Sequence, residues 1–135
     1  MLYAIAHFFR DNMPWLWDLI DVLNSFLFTM CYARRLRLIS GEGIIIKGLP
    51  LKFKIVPIRE IPTEQLVAFF AHQPKEAFEF FKPHGFDGKA IREVVKNKSF
   101  LTFVVLKDDV TVGYFFLRCF VNGKCFRGKI VHKDW

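Results

Sequence analysis

Acidic residues are in short supply in this chain: 13 Asp and Glu stand against 20 Lys and Arg in 135 residues, a formal net charge of +7. The imbalance is uneven. Residues 1–33 carry Arg10 against Asp11, Asp18 and Asp21, so the remaining nineteen basic residues lie in 34–135 against ten acidic ones. A basic body favours anionic partners, whether phosphorylated cofactors, nucleic acid or lipid headgroups, without choosing among them. Cysteine is also sparse, with three residues and no framework of bridges. A two-residue turn at Asn122-Gly123 would set Cys119 opposite Phe126 and Cys125 opposite Phe120. The two thiols would then lie on opposite sheet faces, so no bond is expected and a reducing cytoplasm is the expected compartment. No phosphate-binding glycine loop, serine nucleophile elbow or carboxylate pair is present. His72 and His84 sit beside Gln73-Pro74 and Pro83 with no Cys or carboxylate at ligand spacing, which argues against a metal. A secretory leader is not expected either: the first apolar run lacks a basic start and a small-residue cleavage site.

Apolar side chains are abundant. Hydrophobic residues make up 53% of the chain and 17 are Phe, so one domain can bury a substantial core. The first element is a helix opening at Pro14, capped by Asn12 or Met13. Leu16, Leu19, Ile20, Leu23, Phe26, Leu27 and Met30 recur at helical spacing, with Asp18, Asp21 and Ser25 on the other face. Asp18 and Asp21 would each cost about 2.5–3.5 kcal/mol at a bilayer centre, and the apolar part from Val22 to Ala33 is short for a span. Three settings stay open for this helix. It packs on its own domain or on a second copy, it lies in a membrane interface anchored by Arg34, Arg35 and Arg37, or it spans. Trp15 and Trp17 suit an interface or a dimer contact equally.

Residues 38–50 read as a connector punctuated by Gly41, Gly43, Gly48 and Pro50, with a short strand at Ile44–Ile46. The expected division is residues 1–37 as helix, 38–50 as connector and 51–135 as the main body. The body opens on a strand, Leu51–Ile58, followed by a helix capped by Thr63 that buries Leu66, Val67, Phe69 and Phe70. A short helix after Pro74 runs through Phe78 and Phe81. Asp87 caps another, in which Ala90, Ile91, Val94 and Val95 share a face. Three strands close the chain: Phe100–Lys107, Val110–Val121 and Lys124–His132, broken by Asp108-Asp109 and Asn122-Gly123. Asn-Gly predicts a type I′ hairpin. The middle strand is apolar on both sides, with Tyr114 and Cys119 read as core, so the sheet is expected to be covered on both faces. That disfavours a nucleic-acid platform, which needs one wet basic face. The fold class is α/β, or α+β by strict count.

This order resembles the first half of the GNAT superfamily of acyl-CoA-dependent N-acyltransferases. Lys54-Ile-Val-Pro-Ile-Arg59 is similar to the family's opening strand, and Asp108-Asp109-Val-Thr-Val-Gly113 to the hairpin between its second and third strands. Lys129-Ile-Val-His-Lys-Asp-Trp135 resembles the end of its fourth strand, often spelled V-H-P-D-[YW]; Lys133 replaces the proline. The resemblance covers Leu51–Trp135. It implies acyl transfer from acetyl-CoA to a substrate amine of unread identity, with Ile130, Val131 and His132 as the stretch whose backbone meets the pantetheine arm. The amide of Val131 or His132 would be the oxyanion donor, and His132 is a weak candidate for proton transfer. The family's pyrophosphate loop would begin after Trp135, so the chain alone is expected to bind acetyl-CoA weakly or not at all.

Arg118 and Arg127 stand directly opposed if Asn122-Gly123 closes a two-residue turn, which suggests either a shared anion or acidic-substrate contact, or splayed side chains paired elsewhere. The other reading of the whole chain is a non-catalytic basic module, cytoplasmic or peripheral at the membrane, that docks on lipid or a protein through residues 13–37. An unpaired edge at the last strand also predicts self-association.

Overall fold

The computed structural model describes residues 12–40, 53–79 and 81–134. The predicted strand at Ile44–Ile46, and Leu51 and Lys52, lie outside them. Helix α1 spans Pro14–Ser40, then come strand β1 (Phe53–Pro57), helix α2 (Thr63–Ala71), helix α3 (Gly88–Lys96) and strands β2 (Phe100–Lys107), β3 (Val110–Cys119) and β4 (Cys125–Val131). Single 3₁₀ turns cover Ile58–Glu60 and Lys75–Phe78. The fold is α+β. One antiparallel sheet runs in the order β1-β2-β3-β4.

Several boundaries differ from the sequence reading. Helix α1 continues three residues into the expected connector, to Ser40. Pro62, not Thr63, occupies the N-cap of α2 and makes no side-chain cap bond. The segment after Pro74 is a 3₁₀ turn that ends before Phe81. Asp87 does cap α3, its Oδ1 accepting from the Lys89 and Ala90 amides at 2.8 and 3.0 Å. Ile91 and Val94 bury the face of α3 as expected, while Val95 stays exposed.

Helices α2 and α3 cover one face of the sheet. Leu66, Phe69 and Phe70 from α2 and Ile91 and Val94 from α3 meet Phe100, Val104, Tyr114 and Ile130 of the strands. The opposite face carries Ile55 and Phe103, both buried, and Phe103 stacks on Phe115 with centroids 5.1 Å apart. Thr102, Phe103 and Val104 are buried in succession, so β2 has the two-sided cover that the apolar strands predict, whereas on β4 the second face, with Cys125, Arg127, Lys129 and Val131, is exposed.

The turns reverse the expected assignment. Asp108 and Asp109 both have positive φ, 49° and 64°, and Lys107 pairs with Val110, so the two-residue I′-like turn is here. At the other hairpin only Gly123 is left-handed, at φ 79°. The Gly123 amide donates to Phe120 O and the Phe120 amide to Lys124 O, both at 2.9 Å. This is a three-residue loop, Val121-Asn122-Gly123, a type I turn completed by a left-handed glycine. The odd loop moves β4 by one residue against the expected register.

An irregularity between Val105 and Leu106 leaves Val112 as an extra residue on β3. It turns Thr111 toward α2, where Gln65 Nε2 donates to the Thr111 hydroxyl at 3.1 Å. Gly128 faces Phe116 across β3 and β4. A Cβ there would lie 2.8 Å from Phe116 Cζ, closer still to Cε1, and 3.3 Å from Phe81. Gly128→Ala should therefore cost about 1–3 kcal/mol in urea unfolding, the range of core overpacking. Shrinking the obstructing ring with Phe116→Leu should make the same substitution much less costly.

Candidate functional site

Strand β4 lies at the edge of the sheet and pairs only with β3 among the described residues. Ladder bonds mark which of its groups are taken. The Phe120 amide bonds Lys124 O at one end, and the His132 amide donates to Val112 O at 2.8 Å at the other. Antiparallel pairs alternate between bonded and non-bonded, so Phe126, Gly128, Ile130 and His132 direct their backbone groups toward β3. Cys125, Arg127, Lys129 and Val131 direct theirs outward. Of the three residues expected along the acyl arm, Val131 alone presents its N–H and C=O to the open edge. Ile130 is buried in the core and its backbone faces β3. His132 cannot be the oxyanion donor because Val112 already accepts its amide.

The His132 ring is half-buried beside Phe69, with centroids 6.2 Å apart. Its Nδ1 accepts from the Asp134 amide at 3.3 Å and lies 3.5 Å from Asp134 Oδ2. An Nδ1 that accepts that amide cannot also donate to the carboxylate, so the neutral ring carries its proton on Nε2.

The register separates Arg118 from Arg127. Arg118 pairs with Phe126 and Arg127 with Leu117, which places the two guanidiniums on opposite faces. No shared anion contact survives. Arg118 instead reaches Asp21 of α1, its Nη2 lying 2.6 Å from each carboxylate oxygen. Three bonds from Asn24 follow: Nδ2 donates to Cys119 O at 3.0 Å and to Ser99 Oγ at 3.3 Å, and Oδ1 accepts the Val121 amide at 3.3 Å. The Tyr32 hydroxyl donates to Val121 O at 3.3 Å. The polar stripe of α1 therefore grips the end of the sheet, and Thr29, Ala33 and Leu36 stand with Pro57, Leu101 and Phe103 around a cavity of about 410 Å³.

Phe28 is buried among these contacts, its ring centroid 4.8 Å from that of Tyr32, while most other large apolar side chains of the helix face outward. Trp15, Leu19, Val22, Leu23, Phe26 and Met30 fall within one arc of the helix and are all exposed, Met30 at 68%. Arg34 and Arg35 are exposed just beyond Met30, and Arg37 lies further along the same helix. Among the described residues no helix is long and apolar enough to cross a membrane, and none of their His, Cys, Asp and Glu side chains group as a metal site.

A half-buried histidine paired with a buried tyrosine escaped the sequence reading. His84 Nε2 and the Tyr114 hydroxyl are 2.7 Å apart within an aromatic cluster that includes Phe70, Phe86 and Phe100. A carbonyl can only accept, so the Gly85 O at 2.5 Å from Nδ1 fixes the proton there and leaves Nε2 to accept from Tyr114. Burial holds the His84 pKa below its ordinary value of 6.5 despite the Gly85 bond, and burial raises that of Tyr114. The couple is neutral and self-satisfied.

Comparison with protein-family models, with curated proteins and with solved structures finds no match to this chain.

Between the lowered folded pKa of His84 and the ordinary 6.5, the unfolded state binds the extra proton and the folded state does not. Stability should thus climb as pH rises through that window and be complete above it. Thermal unfolding between pH 5 and 7.5 should show this slope, and His84→Leu should flatten it. The carboxylates with lowered pKa, Asp87 and Glu93, act only at more acidic pH.

Proposed function

We propose that β4 is the acyl-docking strand of a GNAT-type N-acyltransferase, with acetyl-CoA as acyl donor and an amine as acceptor. The reading is carried by one observation: the β4 edge is open among the described residues, and it ends in the segment whose sequence resembles the family's fourth strand. The strand–helix–helix–three-strand order supports it. Acetyl-CoA supplies a thioester; the amine nitrogen bonds to its carbonyl carbon as the C–S bond breaks and the thiol leaves with a proton. The outward Val131 N–H would hold the carbonyl oxygen as it gains charge. The outward groups of Arg127 and Lys129 would pair with the amides of the pantetheine arm, strand-fashion. The exposed Arg127, Lys129 and Lys133 side chains suit an anionic cofactor.

Amide NMR of the chain titrated with millimolar acetyl-CoA should shift Val131 and Lys129 more than the core. Proline is tolerated on an edge where its missing N–H faces outward. Val131→Pro should leave the fold intact and abolish those shifts, whereas Ile130→Pro should disrupt the sheet. Shifts confined to other surfaces, or undiminished in Val131→Pro, would sink the reading.

The outward apolar face of α1 favours a second role, docking on an anionic lipid surface, since the exposed Arg34 continues the stripe with positive charge and the exposed Arg35 follows it in the chain. Co-sedimentation with phosphatidylserine vesicles at low salt should detect it. Both Phe26→Glu and the triple change of Arg34, Arg35 and Arg37 to Glu should abolish binding. A dimer in sedimentation analysis that is lost on Phe26→Glu, without vesicle binding, would assign the face to a second copy.

A further inference from the structure

The shift in hairpin register brings together two thiols that a two-residue turn would have kept apart. Cys119 pairs with Cys125 across β3 and β4. Because Phe120 and Lys124 form the bonded pair next to them, and the Cys119 amide turns the other way to donate to Ser99 O at 2.8 Å, the cysteines occupy a non-hydrogen-bonded site. At such a site opposed Cα atoms approach to about 4.5 Å and the side chains converge. A disulfide requires Cα atoms about 4.4–6.8 Å apart with Cβ vectors that meet. The structure shows the convergence directly: Cys125 Sγ donates to Cys119 Sγ at 2.9 Å. Cys119 is buried and Cys125 exposed.

We propose that Cys119 and Cys125 form a reversible modification site, a cross-strand disulfide made by exchange with a small-molecule disulfide such as oxidised glutathione. The exposed Cys125 enters first. Its thiolate attacks one sulfur of the oxidant, forming a mixed disulfide and expelling one small thiolate, which takes up a proton as thiol. Cys119 then gives up its proton to solvent base and attacks Cys125 Sγ, expelling the second small thiol. Two electrons pass from the cysteine pair to the oxidant, and one disulfide becomes two thiols. Burial, then the hydrogen bond from Cys125, push the Cys119 thiol up to about 12, which makes Cys119 the resolving partner and not the entry point. The bond would staple the end of the sheet to which α1 is held, since Cys119 O accepts from Asn24 and its neighbour Arg118 pairs with Asp21.

The test uses the full chain carrying Cys31→Ser, which removes the exposed third thiol on α1. After incubation with oxidised glutathione the intact mass should fall by two hydrogens, and the protein should no longer react with an alkylating reagent. Trypsin should release a linked pair of peptides, Cys119–Lys124 and Cys125–Arg127. Dithiothreitol should restore both thiols, and the oxidised form should melt at higher temperature than the reduced. In Cys119→Ser/Cys31→Ser the mass should instead rise by one glutathione, held on Cys125. A persistent glutathione adduct on Cys125 with Cys119 intact would overturn the proposal, as would disulfide-linked dimers as the only oxidised product.

Discussion

One three-residue turn governs most of what is distinctive here. Val121-Asn122-Gly123 needs a left-handed residue at its last position, and Gly123 supplies it at φ 79°. A two-residue turn at the same place would move every β4 side chain to the other face, because strand side chains alternate with a period of two. With the observed loop, Gly128 falls under the Phe116 ring and Ile130 enters the core beside Tyr114. The same register meets Cys119 with Cys125 and turns the Val131 amide away from β3. Arg118 is left opposite an apolar Phe126 and free to reach Asp21. Shape, thiol chemistry and edge presentation are thus consequences of one backbone conformation.

The hold on α1 has a different character. Helix packing normally buries the apolar stripe, yet here Asp21, Asn24 and Tyr32 face the sheet end while Trp15, Phe26 and Met30 face out. The attachment is specific because the partners are backbone groups of Cys119 and Val121, the buried Ser99 hydroxyl and the half-buried Arg118, all near the ends of β2 and β3. Hydrogen bonds of this kind contribute about 1 kcal/mol each, so a handful, together with the buried Phe28, can hold a helix whose apolar stripe faces out. An exposed stripe of this size is unusual on a monomer surface, and that is what supports the docking role proposed for it.

Much of the architecture was legible because it rests on patterns that sequence carries. Two-sided apolar runs located the strands within two residues at either end, and Asp87 announced the start of α3 by its capping chemistry. What was not legible depends on discrete choices that composition leaves open. Asn122-Gly123 fits both a two-residue I′ turn and a three-residue loop ending in glycine, and the two differ by one residue of register. The two aspartates at 108–109 carried a weaker turn signal, yet they adopt the paired positive φ. The direction of the α1 stripe was hidden for a related reason: periodicity reveals that a helix has two faces, but not which one meets the fold. The His84–Tyr114 couple joins residues thirty apart through tertiary packing alone.

The features to which roles are proposed fall at opposite ends of β4. Cys125 and the α1 grip lie at its start and Val131 at its finish, six residues on, about 20 Å along an extended strand. A surface held through α1 would therefore leave the far edge of β4 clear for a ligand, so docking by one and acyl transfer at the other are compatible. The hairpin between them is anchored at each end: at the start by Asn24 and Arg118, and at the finish by Ile130 in the core and the His132 amide on Val112. A strand fixed at both ends can present an ordered row of outward amides without a further strand beside it, and such a row resists the fraying that would spoil a binding edge.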